Sequence, residues 1–416
     1  GIDTQKEFVV YMRADCHICI SEGFEALTRL QVTVKGKTII ATLNVLRSDL
    51  LNHEQASLSE SAWKKMEADE GDEITFGHLQ PINSMSHVRA KMYGNRLDKA
   101  AFFEIISDIH QGKYSNIELA AFISACADDK MNIEEITNLT RVMVEIGERL
   151  NWGKPIVVDK HCIGGLPGNR TTPIVVSIVA ATGLTIPKTS SRAITSPAGT
   201  AHTMETLTTV NLNLTQIQEI VRQENGCLAW GGAVALSPAD DVIIKIEKAL
   251  DIDSEGQMIA SVLSKKVAAG STHVVIDIPV GETAKVRSET EAQKLKYYFT
   301  VVGKAVGLEV AVLITDGSQP VGKGIGPALE AMDVVAVLKN EKTAPADLKD
   351  RAIAIAGAIF ELAQMTFIGN GKETARKILE SGKAFEKFQK ICETQGGIRQ
   401  PQVGKLQYEV PATQSG

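Results

Sequence analysis

From Ile156 onward, short apolar runs alternate with glycine-rich turns and helical stretches, and a purely helical segment then splits that alternation in two. Ile156-Val157-Val158 reads as a buried strand, followed by a glycine-rich loop, the apolar segment Ile174 to Ala181, and a second loop ending in a helix from about Thr200. Helical signals come next. Ser237-Pro238 supplies an N-cap and an N1 proline, and Ser254-x-x-Gln257 opens a helix that stops at Gly270. The alternation then resumes with His273 to Ile278 as a strand, Glu289 to Val306 as a helix stopped by Gly307, and Leu308 to Thr315 as a strand. The pattern implies an α/β domain with a helical domain interleaved.

Upstream, Glu7 to Arg13, Leu30 to Leu46 and Ile74 to Ile82 are β-rich runs separated by turn residues such as Lys35-Gly36-Lys37. From Val88 to Leu150 the period is helical, with capping boxes Ser115-x-x-Glu118 and Asn132-x-x-Glu135 ahead of apolar stripes. The expected division is a small β-rich N-terminal domain (1–82), a helical domain (83–150 and 237–270) and a large α/β domain (151–236 and 271–395). The tail, 396–416, has little periodicity and is expected to lead to a missing or truncated C-terminal module. With 416 residues and 44% hydrophobic content, the chain has enough apolar surface for several cores.

A net charge of −6 without a concentrated Lys/Arg stripe argues against a nucleic-acid partner. No apolar run approaches the roughly 20 residues that span a bilayer, and Gly1 to Tyr11 lacks a charged leader and an apolar h-region. The expectation is a soluble, cytoplasmic protein with no membrane partner. Six scattered cysteines do not form the framework of a secreted disulfide domain. Cys16-x-x-Cys19 has no second Cys or His pair to complete a metal site, and its neighbours read as strand rather than redox helix. No metal site is expected.

Asp159 to Thr172 (DKHCIGGLPGNRTT) is a phosphate cradle by composition: glycines let backbone N–H groups turn toward an anion, and Lys160 adds a positive charge. A structural glycine turn is the alternative reading. Gly164-x-x-x-Gly168-Asn169-Arg170-Thr171 is one residue short of the nucleoside-triphosphate loop spacing and carries Asn169 in place of its lysine. The second element, Pro187 to Glu205, gathers hydroxyls ahead of a helix N-terminus, which suits either an anion or plain helix capping.

Through Lys160-His161-x-x-Gly164-Gly165, Ser190 to Thr200, Leu263-Ser264-Lys265-Lys266 and Thr315-Asp316-x-Ser318-Gln319-Pro320-x-Gly322-x-Gly324, the chain resembles the thymidine/pyrimidine-nucleoside phosphorylase family. Ser191 to Ser196 and the extra N-terminal domain are similar to the branch of AMP phosphorylases and type 2 thymidine phosphorylases. The resemblance implies the nucleoside phosphorylase fold and a reversible phosphorolysis of an N-glycosidic bond. Thymidine or another pyrimidine nucleoside, or a nucleoside 5'-monophosphate such as AMP, would give free base and a sugar 1-phosphate. It implies a phosphate site of Lys160, Gly164, Gly165, Thr172, Ser190 and Thr200, with Cys162 where these enzymes usually have a serine. The nucleotide contacts it implies are Gly165, Ser191, Arg192, Ala193, Ile194, Thr195, Ser196, Thr200, Ser261, Lys265 and Lys285, with Asp253 as proton donor and Lys160 as the other catalytic group. The arginine that pyrimidine phosphorylases carry before the Ser261-x-x-x-Lys265 element is absent, and His202 stands where the branch usually shows Asp. His161 reads equally as a base contact or a structural residue.

Breaking C1'–N builds positive charge on the sugar and negative charge on the base, so two subsites are needed, one for a phosphate dianion and one for the base. Closure of a cleft between the helical and α/β parts would exclude water, with Gly322 and Gly324 as hinge candidates. Inorganic phosphate is then a co-substrate, no organic cofactor is needed, and a homodimer through the helical domain is expected from the resemblance. Two other readings stay open: an anthranilate-phosphoribosyltransferase-like enzyme, and a non-catalytic nucleotide-binding homologue.

Overall fold

In the computed structural model, which describes residues 4, 7–192, 198–233, 236–252, 254–406 and 408–412, the chain forms two compact units. Ala193, Ile194, Thr195, Ser196 and Asp253 lie outside the described residues.

The first unit (Gly1–Arg89 with Ser107–Leu119) is built on β1 (Val9–Arg13), β2 (Arg29–Val34), β3 (Lys37–Leu46), β4 (Ala56–Leu58) and β5 (Ile74–His78). They form one sheet in the order β4-β1-β3-β2-β5, with β1 and β3 parallel and the other pairs antiparallel. Lys35 and Gly36, both at positive φ, turn the β2–β3 hairpin. Alternate residues Leu30, Val32 and Val34 bury one face together with Val10, Met12 and Leu43. Two short helices accompany the sheet, α1 (His17–Glu22) and α2 (Glu60–Met66). The expected strand around Cys16-x-x-Cys19 is therefore wrong. Ladder pairing of β1 stops at Arg13, and Cys16 becomes the N-cap of α1, its sulfur accepting the Cys19 N–H at 3.3 Å. Both thiols are buried.

The all-helical stretch consists of α3 (Met85–Met92), α4 (Lys99–His110), α5 (Asn116–Cys126) and α6 (Ile133–Ile146). The expected capping boxes form: Ser115 and Glu118 at α5, Asn132 and Glu135 at α6.

In the second unit, β6 (Val158–Cys162), β9 (His273–Val280) and β10 (Glu309–Asp316) are parallel in the order β10-β9-β6. β7 (Ile186–Ser190) and β8 (Gly226–Trp230) pair in parallel, and the bridge of Val157 to Thr185 joins the two sets. Sequence-consecutive strands thus run from β6 to β8 on one side, and β9 returns on the other side of β6. That reversal makes β6/β9 the topological switch point, where open α/β sheets bind ligands beyond their carboxyl ends. The fully buried α7 (Thr171–Ala180) packs against α14 (Ala346–Leu362) and α16 (Lys383–Thr394). The connecting helices are α8 (Thr200–Glu205), α9 (Leu214–Glu224), α12 (Glu289–Ala305), α13 (Pro327–Leu338) and α15 (Gly371–Glu380). Helices α10 (Pro238–Leu250) and α11 (Glu255–Ala268) are the helical insert, and α11 packs on α6.

Three expectations need correction here. The strand expected at 156–158 runs from Val158 to Cys162, because the main-chain ladder with β9 (Val158 opposite His273, Cys162 opposite Asp277) does not depend on side-chain polarity. Asp159 to Cys162 are therefore strand, not loop. Gly322 and Gly324 are not placed as a hinge: their N–H groups donate to Asp347 of α14 and Asp333 of α13, which fasten the loop to its own α/β domain. The chain instead crosses between helical and α/β parts at 147–157, 231–237 and 269–272, and a Cβ on Gly147 would lie 2.3 Å from the Leu236 carbonyl oxygen. Pro238 does open α10, but the Ser237 hydroxyl caps nothing and is buried without a partner among the described residues. No helix among the described residues is long and apolar enough to cross a membrane.

Candidate active site

Lys160, at the middle of β6, is 1% exposed, and its ammonium donates to Thr171 Oγ1 at 2.9 Å. Among the described residues no carboxylate lies within ion-pair distance of it, and burial pushes its pKa below the usual lysine value. Thr171 begins α7, whose N-cap position is held by Arg170 with no side-chain cap, so first-turn N–H groups and the helix dipole face the same space. Gly164 and Gly165, at φ of 98° and 84°, carry the backbone from β6 into this turn. A Cβ on Gly165 would sit 2.4 Å from the Lys285 backbone nitrogen, so only glycine lets the two segments meet.

Around Lys160 the charges do not balance. Asp159, fully buried, accepts from Lys266 at 2.7 Å and lies 3.6 Å from Lys188; burial would raise its pKa, but the two lysines hold it below the usual carboxylate range. Lys188 falls to about 7, because burial outweighs the attraction of Asp159. Burial and the surrounding Lys266, Lys188, Lys160 and Lys265 push His161 well below its usual pKa, so its ring is neutral. Asp277 of β9 accepts from Thr315 at 2.6 Å and faces Arg351 at 3.8 Å, so it is already matched by another cation. Arg170 forms a buried ion pair with Glu330. Positive charge is left in excess, a costly arrangement that an anion would relieve.

The second loop arrives at the same place. Ser190 ends β7, and its hydroxyl is buried with no hydrogen-bond partner among the described residues. Thr200 opens α8, and its hydroxyl accepts from Arg170 at 3.3 Å, while Arg170 also donates to the Ala198 carbonyl at 2.5 Å. Arg170 thereby ties the two loops together. Thr172 is buried in the first turn of α7. The Ser191 carbonyl accepts from Ala201, and Arg192 pairs with Glu205 at 2.8 Å, its guanidinium 4.5 Å over the Trp230 ring. The Cys162 thiol is pushed up to about 12, first by burial and then by Asp277, so it stays protonated, with Asn169 donating to the sulfur at 3.4 Å. His202 lies in the short α8.

Ser261 and Lys265, one turn apart on α11, meet Asp240 of α10: Ser261 donates to it at 3.0 Å, and Lys265 forms an ion pair with the same oxygen. The structure therefore brings together Lys160, Gly164, Gly165, Thr172, Ser190 and Thr200, gathers Ser261 and Lys265, and sets the Lys285 backbone against Gly165. Sequence reasoning did not assign roles to Arg170, Thr171, Lys188, Asp240 and Asp277. Lys188 carried a usable signal as a lysine inside a strand run, whereas Asp240 looks like any first-turn acid.

A cavity of about 480 Å³ lined by Arg149, Trp152, Lys154, Gly270 and Gly307 lies at the amino ends of the strands, away from this site. There the carbonyls of Ala268 and Ala269 at the end of α11 accept from the Leu150 N–H and the Trp152 indole, and Lys154 donates to the side chains of Thr185 and Asn225.

Residues 86–147 match the helical bundle domain of a glycosyl transferase family, and residues 154–385 match that family's a/b domain. The chain is 54% identical over its whole length to a protein of Hahella chejuensis named "Putative thymidine phosphorylase", covering 82% of it. A protein of the same name from Legionella pneumophila is 55% identical over the whole chain, which covers 80% of that protein. Among solved structures, anthranilate phosphoribosyltransferase from Thermus thermophilus superposes with a TM-score of 0.62 at 19% identity, over 74% of this chain and 98% of that one. The Saccharomyces cerevisiae enzyme, in complex with PRPP and Mg, gives 0.61 at 14% identity over 76% of this chain and 99% of its own. At these identities the likeness is one of fold.

Proposed function

The chain belongs to the glycosyl transferase family with a helical bundle domain and an a/b domain, and on that premise we propose that it is a phosphorylase transferring a pentosyl group to inorganic phosphate. The substrate is a nucleoside or nucleoside 5'-monophosphate, with thymidine and AMP as the leading candidates. The observation that carries this reading is Lys160, a fully buried cation whose hydrogen-bond partner among the described residues is a threonine hydroxyl, in a site with excess positive charge. The names of the relatives and the Ser190 hydroxyl, buried without a partner among the described residues, support it.

In the proposed reaction, phosphate sits on the α7 N-terminus and the Gly164-Gly165 turn, with Lys160, Thr172, Ser190 and Thr200 holding its oxygens. One phosphate oxygen bonds to C1' as the C1'–N bond breaks, and the bonding pair leaves with the base. Asp253 delivers a proton to the departing base, and Ser261 and Lys265 hold it. Lys285 and residues 191–196 are assigned to the sugar and its 5' substituent. Assembly as a homodimer through the helical domain belongs to the same proposal and is checked by light scattering.

The test is a panel of AMP, CMP, UMP, thymidine and uridine with inorganic phosphate and without magnesium, followed by chromatography of free base and sugar phosphate. Phosphate-dependent release of base from at least one substrate is expected. Turnover confined to anthranilate with phosphoribosyl diphosphate and magnesium, or no turnover at all, would overturn it.

A further inference from the structure

The two side chains assigned to the base share a single partner. Asp240 is 1% exposed and sits in the first turn of α10, where free N–H groups and the helix dipole stabilise a carboxylate. Its Oδ2 receives the Ser261 hydroxyl hydrogen at 3.0 Å and the Lys265 ammonium, and the ammonium lies 3.4 Å from Ser261 Oγ. A serine hydroxyl has one hydrogen to give. With that hydrogen committed to Asp240, Ser261 can only accept from anything else that approaches, while Lys265, whose side chain is 32% exposed, keeps donors for the open side.

We propose that Asp240 is the positioning residue of the base subsite, an inference that rests on the phosphorylase reading. It orients Ser261 as an acceptor and Lys265 as a donor, and it cancels the lysine's charge, so the subsite presents a polar but uncharged edge to a neutral heterocycle. Ser261 then takes a ring or exocyclic N–H of the base, and Lys265 donates to the neighbouring ring nitrogen or carbonyl oxygen. The same ammonium faces the negative charge that develops on the base as the glycosidic bond opens. Without Asp240, Lys265 would confront the uncharged ground-state base as a bare cation, and the Ser261 hydrogen would be free to point outward. A simple structural tie between α10 and α11 is the competing account of the same contacts.

The test compares wild type, Asp240→Asn and Asp240→Glu by steady-state kinetics with both substrates varied. For Asp240→Asn the KM of the nucleoside or nucleotide rises roughly 10-fold or more, the KM of phosphate stays within about 2-fold, and Asp240→Glu recovers most of the loss. In a Ser261→Ala/Lys265→Met background, Asp240→Asn adds nothing further, since the effect runs through those two side chains. Thermal denaturation identifies any variant that fails to fold. Equal rises in both KM values, or a full additional loss in the double-variant background, would mean a structural tie and overturn the proposal. An unchanged nucleoside KM would overturn it too. A wild-type protein inactive with every substrate overturns the parent reading together with this one, so the two failures are distinguishable.

Discussion

In the proposed reaction Lys160 serves the phosphate and Lys265 the base, and the protein treats the two lysines in opposite ways. Lys160 is fully buried and, among the described residues, hydrogen-bonded to a hydroxyl with no carboxylate in ion-pair reach, whereas Lys265 is partly exposed and ion-paired to Asp240. Burial lowers the pKa of the first; for the second, Asp240 and then the nearby Asp241 and Glu247 overcome burial and raise it. The contrast follows from the ligands. A phosphate dianion brings its own charge and can complete an unmatched cation, whereas a nucleobase brings none, so the cation meant for it must be neutralised by the protein beforehand.

The largest expected effect tests the unmatched lysine. Lys160→Met should lower kcat/KM for phosphate by roughly 10³-fold, yet raise the melting temperature of the phosphate-free protein by about 2–4 °C, because a buried charge without a carboxylate partner is removed. Calorimetry showing a clear destabilisation would mean that Lys160 is matched after all. Lys265→Met should lower kcat/KM for the nucleoside by about 10²-fold and leave phosphate KM nearly unchanged; a matching rise in phosphate KM would erase the distinction between the two lysines.

A smaller effect is carried by protons. The folded pKa of Lys188, about 7, lies below its ordinary 10.5, so the folded protein binds fewer protons than the unfolded chain between those values and gains stability as pH rises through that window. An anion bound beside Lys188 favours its charged form. Sulfate, which does not titrate here, should therefore bind with net proton uptake just above pH 7, read from calorimetry in buffers of different ionisation enthalpy. Uptake that is absent, or proton release, would detach Lys188 from the anion site. The smallest change expected is for Cys162→Ser, which replaces a weak donor with a better one and should lower phosphate KM by roughly 2–5-fold in initial-rate assays.

The sequence made the fold legible where periodicity and caps agreed, as at Asn132-x-x-Glu135, Ser254-x-x-Gln257 and the parallel strands ending near Ile278 and Thr315. It misled where a tertiary partner decided the outcome. The strand through Asp159-Lys160-His161-Cys162 looks like loop because its side chains are polar, and only the ladder to β9 and the lysines at Asp159 make it strand. Cys16 departs from the expected strand because it caps α1, and a thiol is an unusual N-cap. In the site, glycine and hydroxyl motifs pointed to the two loops that Arg170 joins. The residues that organise the site did not stand out, since Arg170, which joins the loops, gains its meaning from Glu330, 160 positions away, and Asp240, beside Ser261, from a lysine on another helix.

The pairing of β6 with β9 also sets an order of assembly. β6 has its full ladder only when His273 to Asp277 are available, more than a hundred residues later in synthesis, and on the β7 side the main-chain pairing among the described residues is the bridge of Val157 to Thr185. Long-range parallel pairings form slowly, and helices with local contacts form early. On a ribosome, the first helical stretch and α7 would emerge well before the strand that anchors Lys160 has a neighbour to pair with. The proposed anion pocket is thus a late product of folding, and a nascent chain halted before β9 would carry every residue assigned to phosphate without the geometry that brings them together.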